Sequence, residues 1–306
     1  MHASEYFDRL MRRELPILVD CEVLMPLVRA QGFEAIPFDE FPFRSEESQA
    51  ALMLITQHEY HHKLKGLWNT TPHILSHLAV AKFDNRLPAV EYSLKRFLSV
   101  DFMDTLKRRQ AYYEALIAAN DVKVKTAAGV LTCKFSNEVE VANQDEELEP
   151  GWLYSVAEFF EASIINLAAD GSSYRLDGDF GFEGFIYLCN SIQLAEQTQA
   201  PLQKLSELAR RGQNRLRFEN NHVVEAVLGG EDQTETFLEL VQGKERGGSS
   251  TEFALGCEES PKPHDWHLNS LMHESAHGVH VGVGMARQIP HMDFICPGAR
   301  CTFERD

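Results

Sequence analysis

Apolar positions recur at helical spacing along much of the chain. Between Glu46 and Lys65, the residues Ala50, Ala51, Leu54, Ile55, His58, His62 and Leu64 share one stripe; Ser45 offers a cap, Glu46 and Glu47 occupy the first turn, and Gly66 supplies a stop. Thr71-Pro72 predicts the start of a second helix, and the stretch from Pro88 to Ala119 predicts a longer one with a basic exposed face. Strict alternation replaces this period at Val122-Lys-Val-Lys and at Val130-Leu-Thr-Cys-Lys-Phe, which predicts a β-hairpin turning at Gly129; Glu138-Val-Glu-Val predicts one more strand. The acidic run from Asn143 to Gly151, closed by Pro-Gly, reads as a solvated loop or soft boundary. Helical patterns follow at 152–169, 182–199, 201–211, 217–228 and 233–242, then a Gly- and Ser-rich flexible loop at 243–251, then a last helix from Trp266 to Met285. No repeat of solenoid period is visible. The expected fold is α+β, predominantly α-helical, with a small β-hairpin in the middle of a single domain spanning residues 1–306.

Charge and composition narrow the function classes. The 306 residues carry a net charge of −17 and a pI near 5.2, so a phosphate backbone would be repelled and nucleic acid is not an expected partner. No apolar run approaches the roughly 20 residues that cross a bilayer, and mean hydropathy is −0.28. The first residues carry acids where a secretory signal carries basic residues, and the six cysteines form no CxxC pair; both features fit a cytoplasmic protein. The 13 histidines are unevenly spread. His58, His61, His62, His73 and His77 form one window, and His264, His267, His273, His277, His280 and His291 form another, a distribution that points to metal or proton chemistry.

Each window contains an HExxH pentapeptide, His58-Glu-Tyr-His-His62 and His273-Glu-Ser-Ala-His277. Residues four apart share one helix face, so each histidine pair could chelate one divalent cation, with Glu59 or Glu274 acting as the base that takes a proton from the metal-activated water. One match arises by chance in roughly one chain in twenty of this composition, and two in well under one in a hundred.

The segments Ile55-Thr-Gln-His-Glu-Tyr-His-His-Lys-Leu64 and Leu271-Met-His-Glu-Ser-Ala-His-Gly-Val279 resemble the active-site helix of zincin metallopeptidases. The resemblance covers about a tenth of the chain. It implies a zinc ion and a third ligand from elsewhere in the sequence. The metzincin version of that ligand is absent, because Val283 stands where its histidine would be. For a gluzincin-like ligand, Glu158 and Glu161 lie three residues apart on an otherwise apolar segment, where a carboxylate is costly to bury unless it is paired or bound to metal.

The same residues support a second reading. Glu59-x-x-His62 and Glu274-x-x-His277 are two ExxH motifs of the kind that hold two irons in helical bundles, with Glu158 or Glu161 and Glu183 available as the further carboxylates. A third reading is a non-catalytic, metal-stabilised binding protein, whose closed site leaves no position for water. The pair His264-Asp265 is better explained by an aspartate cap, and Cys296 with Cys301 cannot alone complete a zinc site. The expected function is a zinc-dependent hydrolase of peptide or amide bonds acting on a peptide or small-molecule substrate. Its catalytic metal is expected on His58 and His62, with the two HExxH segments meeting in space. The sequence leaves the oligomeric state open.

Overall fold

The computed structural model describes residues 1–142, 146–260 and 262–305. In chain order the first strands are β1 (Ile17–Val19), β2 (Ala35–Pro37), β3 (Ala50–Ile55), β4 (Ile74–Ala79), β5 (Asp121–Thr126), β6 (Gly129–Phe135), β7 (Glu140–Val141), β8 (Leu153–Ser155) and β9 (Glu161–Ile165). They are followed by β10 (Tyr174–Phe182), β11 (Gly184–Leu188), β12 (Asn214–Glu219), β13 (His222–Leu228), β14 (Glu231–Asp232), β15 (Ser250–Gly256), β16 (Gly278–Val283), β17 (His291–Pro297) and β18 (Arg300–Glu304). The helices are α1 (Ala3–Met11), α2 (Met25–Ala30), α3 (His58–Leu64), α4 (Leu87–Phe97), α5 (Phe102–Ile117), α6 (Ile192–Ala209) and α7 (Thr234–Val241). The predominantly helical expectation is therefore corrected: strand makes up 33% and helix 30%, in three sheets of five to seven strands. Among the described residues no helix is long and apolar enough to cross a membrane.

The chain divides into two compact units. The first comprises residues 1–106, 143–159 and 270–272, of which residues 143–145, the start of the expected soft boundary, lie outside the described residues. It is built on a parallel sheet of order β2-β1-β3-β4-β8. The segment Ala50-Ala-Leu-Met-Leu-Ile55, expected to be helical, is a fully buried strand in the middle of this sheet. A short continuous apolar run fits a central parallel strand as well as a buried helix, and here tertiary pairing decides. The helix expected after Thr71-Pro72 is likewise strand β4, and the single helix expected over 88–119 is α4 followed by α5. The Asp20 carboxylate accepts from Thr56 N at 2.6 Å, Thr56 Oγ1 at 2.8 Å and Gln57 N at 2.7 Å, which fixes the turn from β3 into α3.

The second unit, residues 107–142, 160–269 and 273–306, holds two antiparallel sheets. One has the order β14-β13-β12-β10-β6-β5-β18 and the other β11-β17-β16-β15-β9-β7. Their apolar faces share one core, in which Val122, Leu131, Phe180, Leu216 and Phe218 of the first sheet join Ile164, Phe253, Leu255, Val281 and Phe294 of the second. The expected hairpin is β5 and β6, but its two-residue turn is Ala127-Ala128; Gly129, with φ +152°, opens β6 opposite Thr126. Residues 217–228, expected to be a helix, form the β12–β13 hairpin instead. Its two-residue turn is Asn220-Asn221, with φ +47° and +72°, the left-handed pair that asparagine tolerates and that matches strand twist. The helices expected at 152–169 and 266–285 are also strands, β8 and β9 in one case and β16 in the other.

Candidate metal centre

Strand alternation gives the six-stranded sheet one apolar face and one polar face. Ala162, Ile164, Phe253, Leu255, Val279, Val281, Met292 and Phe294 point into the core. Glu161, Ser163, Glu252, His280 and Asp293 alternate with them and share the opposite face. The register then gathers the polar side chains. Gly282 pairs with Glu252 on one side and with Asp293 on the other, so a carboxylate flanks it from each neighbouring strand. A Cβ at Gly282 would stand 2.6 Å from His291 Cε1 and 2.9 Å from Asp293 Oδ1. The absent side chain is what lets the flanking groups meet.

Two sets of potential ligand atoms result, each within 4.8 Å of one another: Glu161, Glu252 and His280 in one, and Glu252, His291 and Asp293 in the other. Asp293 is 0% exposed, His280 1% and Glu161 6%. Ser163 Oγ donates to Glu252 Oε1. His291 Nε2 lies 3.1 Å from Glu252 Oε2 and 2.9 Å from Asp293 Oδ1, and His280 Nε2 lies 3.5 Å from Glu161 Oε2. His291 Nδ1 faces the Gly284 carbonyl at 2.7 Å. A carbonyl only accepts, so Nδ1 carries a proton and Nε2 is directed at the carboxylates. Burial pushes the Glu252 carboxyl up, but the hydrogen bond and charge of His291 and the charge of His280 outweigh it and hold Glu252 down at about 2. Burial pushes His291 down, and the Asp293 charge and hydrogen bond, with those of Glu252, reverse this and raise it well above its ordinary value. Three carboxylates and two imidazoles are thus held together largely out of water. His280 Nδ1 and Asp293 Oδ2 are buried without a hydrogen bond, while Asp293 Oδ1 meets His291.

The residues singled out from the sequence are distributed differently. His58 and His62 do lie one turn apart on α3, but Glu59 is 72% exposed and ion-paired with Lys63 at 3.4 Å. Glu158 sits in a short 3-10 turn in the first unit, whereas Glu161 opens β9 in the second, so they share no helix face. Among the described residues, no set of three donors able to hold a metal includes His58, His62, Glu158, His273 or His277. The second pentapeptide is not an α-helix: His273 ends a 3-10 turn, Glu274 follows it in a turn, and His277 precedes β16. His273 is buried edge-on against the Trp266 ring at 4.7 Å, and His277 is hydrogen-bonded to the Tyr112 hydroxyl at 2.9 Å. The bundle required by the di-iron reading of the two ExxH motifs is therefore not formed, and the two pentapeptides belong to different units. Of the expected ligands only Glu161 stands in a metal-competent set. Glu252, His280, His291 and Asp293 were not expected there. Their signal was present as polar residues at alternate positions in Gly278-Val-His-Val-Gly-Val283 and as the His291-x-Asp293 spacing.

Comparison with known proteins gives the following. No curated protein sequence matches the chain. Among solved structures it is similar to 2,5-dihydroxypyridine dioxygenase from Pseudomonas putida KT2440, with 12% identity, TM-score 0.48, and 98% of this chain and 93% of that one covered. It is similar also to wild-type AmpT from Thermus thermophilus, with 10% identity, TM-score 0.49 and coverage of 99% and 95%. The profile of the family described as crocagin biosynthetic protein CgnE/B matches residues 12–304, almost the whole length, and the chain belongs to that family.

Proposed function

We propose that the protein is a metal-dependent hydrolase whose centre is the polar face of the six-stranded sheet, with Glu252 shared between two divalent ions. The observation that carries this reading is the pair of metal-competent sets with one carboxylate in common. The donor set fits such ions. Three carboxylates offset three of four positive charges, the His280 imidazole is buried and that of His291 is 14% exposed, and Asp293 Oδ2 and Nδ1 of His280 are buried with no hydrogen-bond partner. Glu161 and His280 would hold one ion, His291 and Asp293 the other. Nitrogen and oxygen donors without thiolate suit zinc, which we take as the first candidate. Ions held there would acidify a water and polarise a carbonyl oxygen, the chemistry needed to cleave an amide or ester.

The chain's own groups prepare the site. Ser163 orients Glu252, the Gly284 carbonyl sets the His291 tautomer, and Gly282 leaves the space in which the carboxylates converge. Within a biosynthetic family, such a centre would act on an amide or ester of a precursor or intermediate. The test is hydrolysis of a panel of aminoacyl and acyl p-nitroanilides and esters by zinc-loaded protein. Activity should vanish on chelation, return with metal, and be missing in Glu252→Gln. Hydrolysis that survives both chelation and this substitution would contradict the reading.

A further inference from the structure

The second unit contains a cavity of ≈ 1080 Å3 where its two sheets end, and none of the five residues of the metal centre lines it. Its wall includes Cys296, which alternation places on the core face of β17, opposite to Asp293. Part of the lining is apolar. The Trp266 ring lies directly against Gly184, where a Cβ would be 2.1 Å from it, and stacks on His264 at 5.0 Å and 17°. Phe182 and Pro297 extend this surface.

Basic residues outnumber acidic ones in the lining: Lys125, Arg210, Arg215 and Arg300 stand with Glu183 and Asp265. Lys125 near the end of β5, Arg210 after α6 and Arg300 at the start of β18 all line the cavity and are exposed. Arg215, by contrast, is committed to Glu225 at 2.7 Å. Among the described residues no ion pair engages Lys125, Arg210 or Arg300, and Arg210 reaches only Ser206 Oγ at 3.4 Å. Moreover, Arg300 and Lys125 are direct cross-strand partners in the β18–β5 pairing. Like charges in that position repel and weaken a sheet. The repulsion is relieved when an anion lies between the two side chains. The volume is at the upper end for small-molecule sites, and an apolar wall with a few convergent polar groups is their usual make-up.

We propose that this cavity binds a small amphiphilic anion, with an aryl or alkyl body against Trp266, Phe182 and Pro297 and a carboxylate or phosphate head between Lys125, Arg210 and Arg300. The site is independent of the metal centre.

Trp266 is one of three tryptophans, so a Trp68→Phe/Trp152→Phe protein makes it the sole emitter. Titration of this protein with 4-phenylbutyrate, phenyl phosphate and the neutral 4-phenylbutanol, with and without divalent ions, should give a saturable emission change for at least one anion and binding at least tenfold weaker for the alcohol. The tighter of the two anions identifies the head group. Lys125→Glu should weaken anion binding at least tenfold while raising the melting temperature of the ligand-free protein, because it pairs with Arg300; a merely disruptive change would lower both. The proposal is overturned if neither anion binds, if the alcohol binds as tightly as the acids, or if Lys125→Glu leaves binding unchanged. Anion binding that persists after chelation keeps this result separate from the fate of the hydrolase reading.

Discussion

Replacing Glu252 by glutamine removes one negative charge at nearly constant shape, and its consequence follows from the place of that carboxylate in both ligand sets. Losing a group that only orients a ligand lowers metal affinity by about 10- to 100-fold, so losing a ligand should cost about 100-fold or more, roughly 2.7 kcal/mol, and here it is lost from two ions at once. Glu161→Gln and Asp293→Asn each touch one set only. After dialysis against low-micromolar zinc, metal analysis should therefore give two equivalents for the parent protein, about one for either single-set variant, and less than one for Glu252→Gln. Thermal melts should follow the same order, since an ion at 100 times its Kd stabilises by about 2.7 kcal/mol. Glu252→Gln retaining two equivalents would refute the shared-carboxylate argument, and so would Glu161→Gln and Asp293→Asn each removing both ions.

Three further outcomes are expected. Gly282→Ala should keep the fold but lower metal affinity at least about tenfold, because its Cβ would stand 2.6 Å from His291 and 2.9 Å from Asp293 Oδ1; isothermal titration with zinc checks this. Glu59→Gln should leave metal content and any hydrolytic rate unchanged within about twofold, given an exposed carboxylate engaged only in a surface pair, and a large loss in either would restore the first HExxH segment as the centre. Burial, reinforced by the charge of Lys82, holds His77 down at about 3, so the unfolded chain binds the proton first and stability falls as pH drops from about 6.5 towards 3, by up to roughly 1.4 kcal/mol per pH unit. His77→Leu should flatten that part of the urea-denaturation profile against pH, and an unchanged slope would show that His77 does not set it.

Legibility in the sequence followed the strength of local signals. The β5–β6 hairpin and α7 were readable, because alternation on both sides of a short break and a compact amphipathic pattern each have one structural solution, although the turn falls on Ala127-Ala128 and not on Gly129. Ala50–Ile55 was not, since an apolar run of six has no period and only its pairing with β1 and β4 makes it a strand. The centre was hidden for the same reason. Read as a helix, residues 266–285 direct His273, His277 and His280 to one face; read as strand β16, they place His280 between inward-facing Val279 and Val281, on the face that carries Glu252 and Asp293, with His273 and His277 outside the strand. Glu161 was singled out because a carboxylate in an apolar segment is costly whichever period that segment adopts. Glu252, within Ser250-Thr-Glu-Phe-Ala-Leu-Gly256, was legible only after the sheet register had brought it beside Gly282.

The central claim is that two ions share Glu252, and an anomalous difference map from crystals grown with zinc tests it most directly. Two peaks about 3.5–4 Å apart are expected on either side of the Glu252 carboxylate, one against Glu161 and His280 and the other against His291 and Asp293. Density confined to His58 and His62, or no density on the polar face of the six-stranded sheet, would contradict it.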